Sequence, residues 1–197
     1  MAATLSGTTE LDAVNQMLGT IGEAPVNTLV GVTSLDTSIA INTLAEVSRD
    51  VQSKGHHFNT DKALKLQPGA FTGEIEVPIN CVDIDTTGPD ADVDVILRGR
   101  KLYDRVNHTF RFTKALTVDM VVLLQFNDLP ETARRYIAVR ACRLFQKRQV
   151  GSTTLEAFTK DDEREAMNSF KRSLGRNADH NIFNSPDMQR MLRRQKS

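Results

Sequence analysis

The chain has 197 residues, 40% hydrophobic and 25% charged, which is enough to bury a core as one domain or as one domain carrying a subdomain. Its 25 basic and 25 acidic residues cancel, so a global electrostatic attraction to nucleic acid or to an anionic membrane is excluded. No run approaches the ~18 apolar residues of a membrane span.

Taken in chain order, the first helical signal is TTELDAVNQMLGTIG, where Leu11, Val14, Leu18 and Ile21 recur at helical spacing behind Thr8 or Thr9 as N-cap. Gly22 and Pro25 stop it. A second helix is predicted from about Ser34 to Lys54, with Ala40, Leu44, Val47 and Val51 as its apolar stripe and Gly55 just past its end. From Thr60 to Asp128 the period changes to two. EIEVPINCVDID and DVDVIL alternate as half-buried strands, KLYDRVNHTFRF reads as a hairpin around Asn107 and His108, and LTVDMVVLLQF reads as a strand buried on both faces.

A third helix follows in DLPETARRYIAVRACRLFQKRQVG. Pro130 suits its first position, Ala133, Ile137, Ala141, Leu144 and Phe145 face one way, and Gly151 ends it. A fourth is predicted from about Thr153 to Leu174, acidic early and basic late as the helix dipole prefers. The remainder, NADHNIFNSPDMQRMLRRQKS, is read as an extended or disordered tail. The expected fold is α+β: a four-helix bundle-like domain (1–59 and 129–176), a β-rich domain (60–128) inserted between the second and third helices, and a tail (177–197).

The chemistry-bearing residues point to interaction rather than catalysis. His56 and His57 are adjacent, so one ion rarely takes both, whereas zinc-binding helices space ligands four apart. The pair reads as a helix exit. Asp90, Asp92 and Asp94 look calcium-like, but the sixth and twelfth positions of such a loop hold Val95 and Lys101 instead of Gly and Glu. Residues 74–97 carry seven acids and no Lys or Arg, a block that repels DNA, pairs with a basic partner, or simply wets a sheet face. In the third helix Arg140, Arg143 and Lys147 share one face. That face suits phosphate backbone, or ion pairs within the chain or with a neighbouring subunit. Cys81 and Cys142 form no C-x-x-C pair and read as core residues of a protein made in a reducing compartment. The start, MAATLSGTTELDAV, has no basic region followed by an apolar one, so no signal peptide is expected. No nucleophile elbow and no Gly-rich phosphate loop occur. No catalytic residue, cofactor or metal is therefore assigned, although Glu74 and Glu76 are a carboxylate pair of the kind glycan-cleaving enzymes use.

The stretches LDAVNQMLGTIGEAPVNTL, SRDVQSKGHHFN, KLYDR and DLPETARRYIAVRACRLFQKRQVGS together resemble the tail tubular protein A family of short-tailed phages, the head-to-tail adaptor or gatekeeper, over about residues 9–175. That resemblance implies a helical bundle with a β-rich domain and a homo-oligomeric ring of twelve subunits between the portal and the nozzle (tail tubular protein B). It also implies a channel through which DNA passes without sequence-specific binding, and a part in receiving tail fibres. The place is the virion tail, after assembly in the host cytoplasm, with no membrane partner. It further implies a C-terminal segment that docks into the portal, carried over here to Ile182, Phe183, Met188, Met191 and Leu192. On the channel reading, Asp83, Asp85, Asp90, Asp92 and Asp94 are expected to face the lumen and keep the duplex from sticking. The family carries Trp, a variable residue, then Phe-Asn after the helix-ending Gly. Here His56 takes the Trp position, and the chain has no Trp at all.

Overall fold

A computed structural model describes residues 6–31, 33–151 and 153–182, with side chains of the last helix described over 160–176. The described residues form a mixed α+β chain in the order α1 (Glu10–Thr20), α2 (Leu35–Gln52), β1 (Thr60–Leu66), β2 (Cys81–Thr86), β3 (Val95–Arg98), β4 (Lys101–Asp104), β5 (Leu116–Val122), α3 (Glu131–Gln149) and α4 (Thr153–Ile182). Short 3-10 turns lie at Gly88–Asp90 and Phe126–Asp128. No described helix is long and apolar enough to cross a membrane. The chain divides into two compact units. Described residues up to Ser48 and from Gln125 onward make one, and Arg49–Leu124 make the other.

In the helical unit α1 starts from a capping box: the Thr9 hydroxyl accepts the Asp12 amide, and the Asp12 carboxylate accepts the Thr9 amide. The buried face of α1 is Ala13, Val14, Met17 and Leu18. Leu11 and Ile21, expected in that stripe, are only half-buried, because the contact with α3 is centred one position further round. Helix α3 buries Ala133, Tyr136, Ile137, Ala138, Ala141, Cys142 and Phe145, and Leu144 is left half-buried. It packs on both α1 and α4, and the Tyr136 ring stacks on Phe170 at 5.5 Å. Burying Tyr136 and Phe145 nearly completely contributes roughly 2–3 kcal/mol each. Pro130 stands one place earlier than expected, at the N-cap, where its missing amide hydrogen is equally harmless.

Helix α4 runs on to Ile182, past the predicted end at Leu174. Gly175 lies within it: an isolated helical Gly costs ~1 kcal/mol against Ala, too little to stop a helix without a following Pro. Of the five portal-docking residues expected in the tail, Ile182 is thus the last residue of a helix. Phe183, Met188, Met191 and Leu192 lie outside the described residues.

In the β-rich unit β5 is the centre of an antiparallel sheet ordered β1-β5-β2, and β3 pairs with β4 in a separate hairpin turned by Gly99 at φ +64. Leu116, Val118, Met120 and Val122 of β5 meet Ile75, Val77, Ile84 and Leu102 in the core. On the other face Thr117 and Val121 are also buried, so the near-continuous apolar run of β5 has the two-sided burial expected of it. The KLYDR hairpin closes as expected, with Asp104 and Thr109 exchanging both backbone hydrogen bonds around residues 105–108. Asp104 explains why that motif contains an acid. Its carboxylate accepts the Val106 and Asn107 amides at 2.9 and 2.8 Å and the Asn107 side chain at 2.8 Å. These bonds, led by Asn107, hold its pKa below the usual carboxylate value.

Candidate functional site

Helix α2 ends at Gln52, and Gly55 at φ +66 turns the chain, its Cα so close to Val121 that a Cβ would lie 3.2 Å from that side chain. The histidines follow immediately and point different ways: His56 is half-buried and His57 exposed. His56 Nε2 lies 3.0 Å from the Val51 carbonyl, so it carries the proton and donates to an oxygen of the last turn of α2. Its ring stacks on Phe58 at 5.3 Å. Burial, partly offset by the Val51 bond, holds the His56 pKa below its ordinary value, with the charges of His57 and Lys54 acting in the same direction as burial. Among the described residues no group of three His, Cys, Asp or Glu side chains is placed to hold a metal.

Behind this turn lies a buried polar knot. The Gln52 side chain donates to the Leu124 carbonyl at 3.1 Å and accepts the Leu124 amide at 2.8 Å. The Asn59 amide donates to the Gln52 and Val122 carbonyls, both at 2.9 Å, and its oxygen accepts the His56 amide at 2.8 Å. Gln52 and Asn59 are each 1% exposed, so the geometry is fully specified and fully paired. The knot ties the strand that enters the β-rich unit to the strand that leaves it. Residues 49–59 cluster with the β-rich unit.

The acidic block does not behave as one surface. Asp83 and Asp85 are exposed on β2, and Asp85 lies directly opposite the half-buried Asp119 of β5, a like-charge pairing that disfavours the sheet. Asp92 is exposed, and Asp94 pairs with Arg105 at 3.5 Å. Asp90 is the buried member of the set expected to face the lumen. It is 6% exposed, takes the Lys114 ammonium at 2.7 Å and the Thr117 amide at 2.9 Å, and so fastens the 3-10 turn to β5. Lys114 first and Thr117 second lower its pKa. Glu74 is engaged by Lys101 at 2.6 Å, while Glu76 is exposed.

Of the three residues expected to form a basic subunit-facing surface, two make contacts within the chain. Arg143 Nε donates to the Glu163 carboxylate, Arg140 lies 3.8 Å from the same group, and Arg140 also donates to the Tyr136 hydroxyl at 3.3 Å. Both guanidinium groups therefore join α3 to α4 inside the unit. Lys147 is exposed. Arg148 makes a two-pronged pair with Glu46 of α2 at 2.7 and 2.9 Å.

A cavity of about 480 Å³ opens in the helical unit between α1, α3 and α4. Ala138, Val139 and Cys142 supply its apolar lining, and Glu131, Arg135, Asp162 and Glu165 its charges. Burial pushes the Cys142 thiol up to about 12, so it is an inert core thiol. Cys142 and Cys81 are both free and buried. In the β-rich unit Phe71 stands fully exposed on a tight loop closed by Gly69–Glu74 and Gly73–Gly69 backbone bonds, both 2.8 Å, and Ile79 and Val106 are also exposed.

A model of the family described as tail tubular protein matches residues 11–179, which spans both units. The chain belongs to the tail tubular protein family. It is also similar to the tail tubular protein A of Klebsiella phage KP34, at 32% identity over 129 residues, covering 66% of this chain and 67% of that protein. A tail tubular protein is a structural component of the phage virion, and neither match supports the glycan-cleaving alternative at Glu74 and Glu76.

Sequence reasoning missed the residues that organise these surfaces. Gln52, Asn59, Glu46 and Glu163 are polar residues in ordinary helical or turn positions. The faint signal was the Phe58-Asn59 dipeptide quoted in the resemblance, whose Asn proves to be the centre of the knot.

Proposed function

We propose that this tail tubular chain is the subunit of a homo-oligomeric ring that connects the portal to the tail nozzle and leaves a channel for the genome. On this reading the four helices act together as a bundle-like body and the β-rich unit is an insertion between α2 and α3. The single observation that carries the reading is that the family match runs from residue 11 to residue 179, through both units rather than one. Two features of the surface support it. Asp83, Asp85, Asp92 and Asp94 remain exposed, and would keep a passing duplex from adhering where they line the channel. Phe71, Ile79 and Val106 are exposed large apolar side chains of the kind that oligomers and partners cover, with the nozzle and tail fibres as candidates. Docking to the portal falls to the C-terminal segment, Ile182, Phe183, Met188, Met191 and Leu192. Electron microscopy of the purified chain mixed with portal tests the proposal: rings seated on the portal are expected, and a chain that stays monomeric and unbound overturns it.

A further inference from the structure

The cavity between α1, α3 and α4 is a socket with an apolar floor, Ala138, Val139 and Cys142, and a negative rim. On that rim Glu131 is engaged, accepting the Thr8 amide at 2.9 Å and lying 3.3 Å from Arg134. Asp162 and Glu165 are exposed, stand three apart on one face of α4, and make no ion pair among the described residues. At that helical spacing the two side chains start about 5–6 Å apart.

A matching pair of cations stands on the β-rich unit. The β3–β4 hairpin turns at Gly99 and Arg100, and nothing lies within 4 Å of where a Cβ on Gly99 would stand, so the tip is open to approach. Lys101 and Arg105 nearby are already paired, with Glu74 and Asp94. Arg98 and Arg100 are exposed and make no ion pair among the described residues. Arg98 is nevertheless held in place, its guanidinium 3.6 Å from the centre of the Tyr103 ring. Two residues apart, the two arginines have Cα atoms at most about 7 Å from each other, close to the spacing of the two acids. We infer that this tip of one subunit enters the cavity of a second copy, with Arg98 and Arg100 on Asp162 and Glu165 and their aliphatic stems on the apolar floor.

Charge chooses a second copy as the occupant. The chain is neutral overall, with 25 acids against 25 bases, so acids left over on one unit have their complement elsewhere in the same sequence. Neither set finds the other within its own chain, and the pairing therefore falls between chains. Arg135 lies on the same lining and lowers the net attraction, so the contact depends on both acids of α4 acting together. A tip on one surface and a socket on another are different patches, which makes the contact head-to-tail. Such a contact repeats from subunit to subunit until a ring closes, rather than stopping at a two-fold dimer. The inference rests on the ring reading and adds to it the two surfaces that meet.

The test uses the full-length chain, with portal and without it. Assembly is read as subunit number by native mass spectrometry and as affinity by sedimentation. Arg98→Glu/Arg100→Glu and Asp162→Arg/Glu165→Arg change exposed positions, and each pair of changes is expected to weaken association by about tenfold or more. All four changes in one chain restore complementary charge and are expected to recover assembly, which misfolded variants would not do. High salt is expected to weaken the native contact in the same direction. Independently, carbodiimide coupling in Arg100→Lys is expected to join position 100 to Asp162 or Glu165 of another chain. Mixing isotopically labelled with unlabelled protein tells such links from links within one chain. Rings that form equally well from the native chain and both reversed variants would overturn the inference and leave the ring reading standing. Links found only within one chain would overturn it as well. A native chain that forms no ring, with portal or without, would overturn both readings.

Discussion

Removing the Asn59 amide tests the knot at the base of the β-rich unit. Asn59→Ala deletes two donated bonds and one accepted bond, between groups shut away from water. At about 1 kcal/mol net for each bond, the unit should lose about 3 kcal/mol. With a urea dependence of about 1–3 kcal/mol per molar, the midpoint should fall by about 1–3 M. The assay is urea unfolding, with amide exchange at Val122 and Leu124 confirming that the β-rich unit is the part that loosens. Asn59→Asp should be no better, because it aims an oxygen at the Gln52 and Val122 carbonyls. Gln52→Glu should also destabilise, since it keeps the acceptor for the Leu124 amide but loses the donor to its carbonyl. A loss below about 1 kcal/mol in Asn59→Ala would refute the reasoning, because it would mean that water replaces these bonds at no cost.

Other consequences follow from the same contacts. His56, whose folded-state pKa is depressed by burial, contributes stability that is full above its unfolded value of about 6.5 and is lost as pH falls through the folded value. An NMR titration should place its midpoint below 6.5, and His56→Trp should flatten stability over that window. Asp90 and Asp104 are depressed carboxylates, so their contribution is present above about 4 and is lost on further acidification. Acid titrations of Asp90→Asn and Asp104→Asn should accordingly be flatter there than that of the native chain. Glu163→Gln should weaken the α3–α4 contact by about 1–3 kcal/mol, read as a lower unfolding midpoint, because it removes the charge of a carboxylate that both Arg140 and Arg143 engage. Cys142 should remain unlabelled by a thiol reagent in the folded chain and react on unfolding, as its raised pKa and burial require.

What could be read from the sequence was whatever depends on near neighbours. The stripe Ala40, Leu44, Val47 and Val51 is buried as its spacing requires, Gly55 takes the left-handed turn, and the apolar run of β5 is the centre of its sheet. The resemblance carried the family, because its motifs are strings of consecutive residues. What could not be read were contacts between distant segments. Asp90 looked like one more exposed acid until the fold brought Lys114 and Thr117 beside it. Ion pairs within the chain were one reading of the Arg140 and Arg143 face, but the sequence named no partner, and only the fold brings Glu163 to both arginines. Asn59 gave no periodic signal, since its partners lie both just before it and sixty residues on, at Val122.

The account stands most directly on whether this chain builds a ring at the portal. Imaging a mixture of the purified chain and portal by electron microscopy, it predicts a closed ring of subunits on the portal, with the exposed acids Asp83, Asp85, Asp92 and Asp94 toward the lumen. A chain that remains monomeric and unbound in that mixture, or a ring with all four acids on its outer rim, would contradict it.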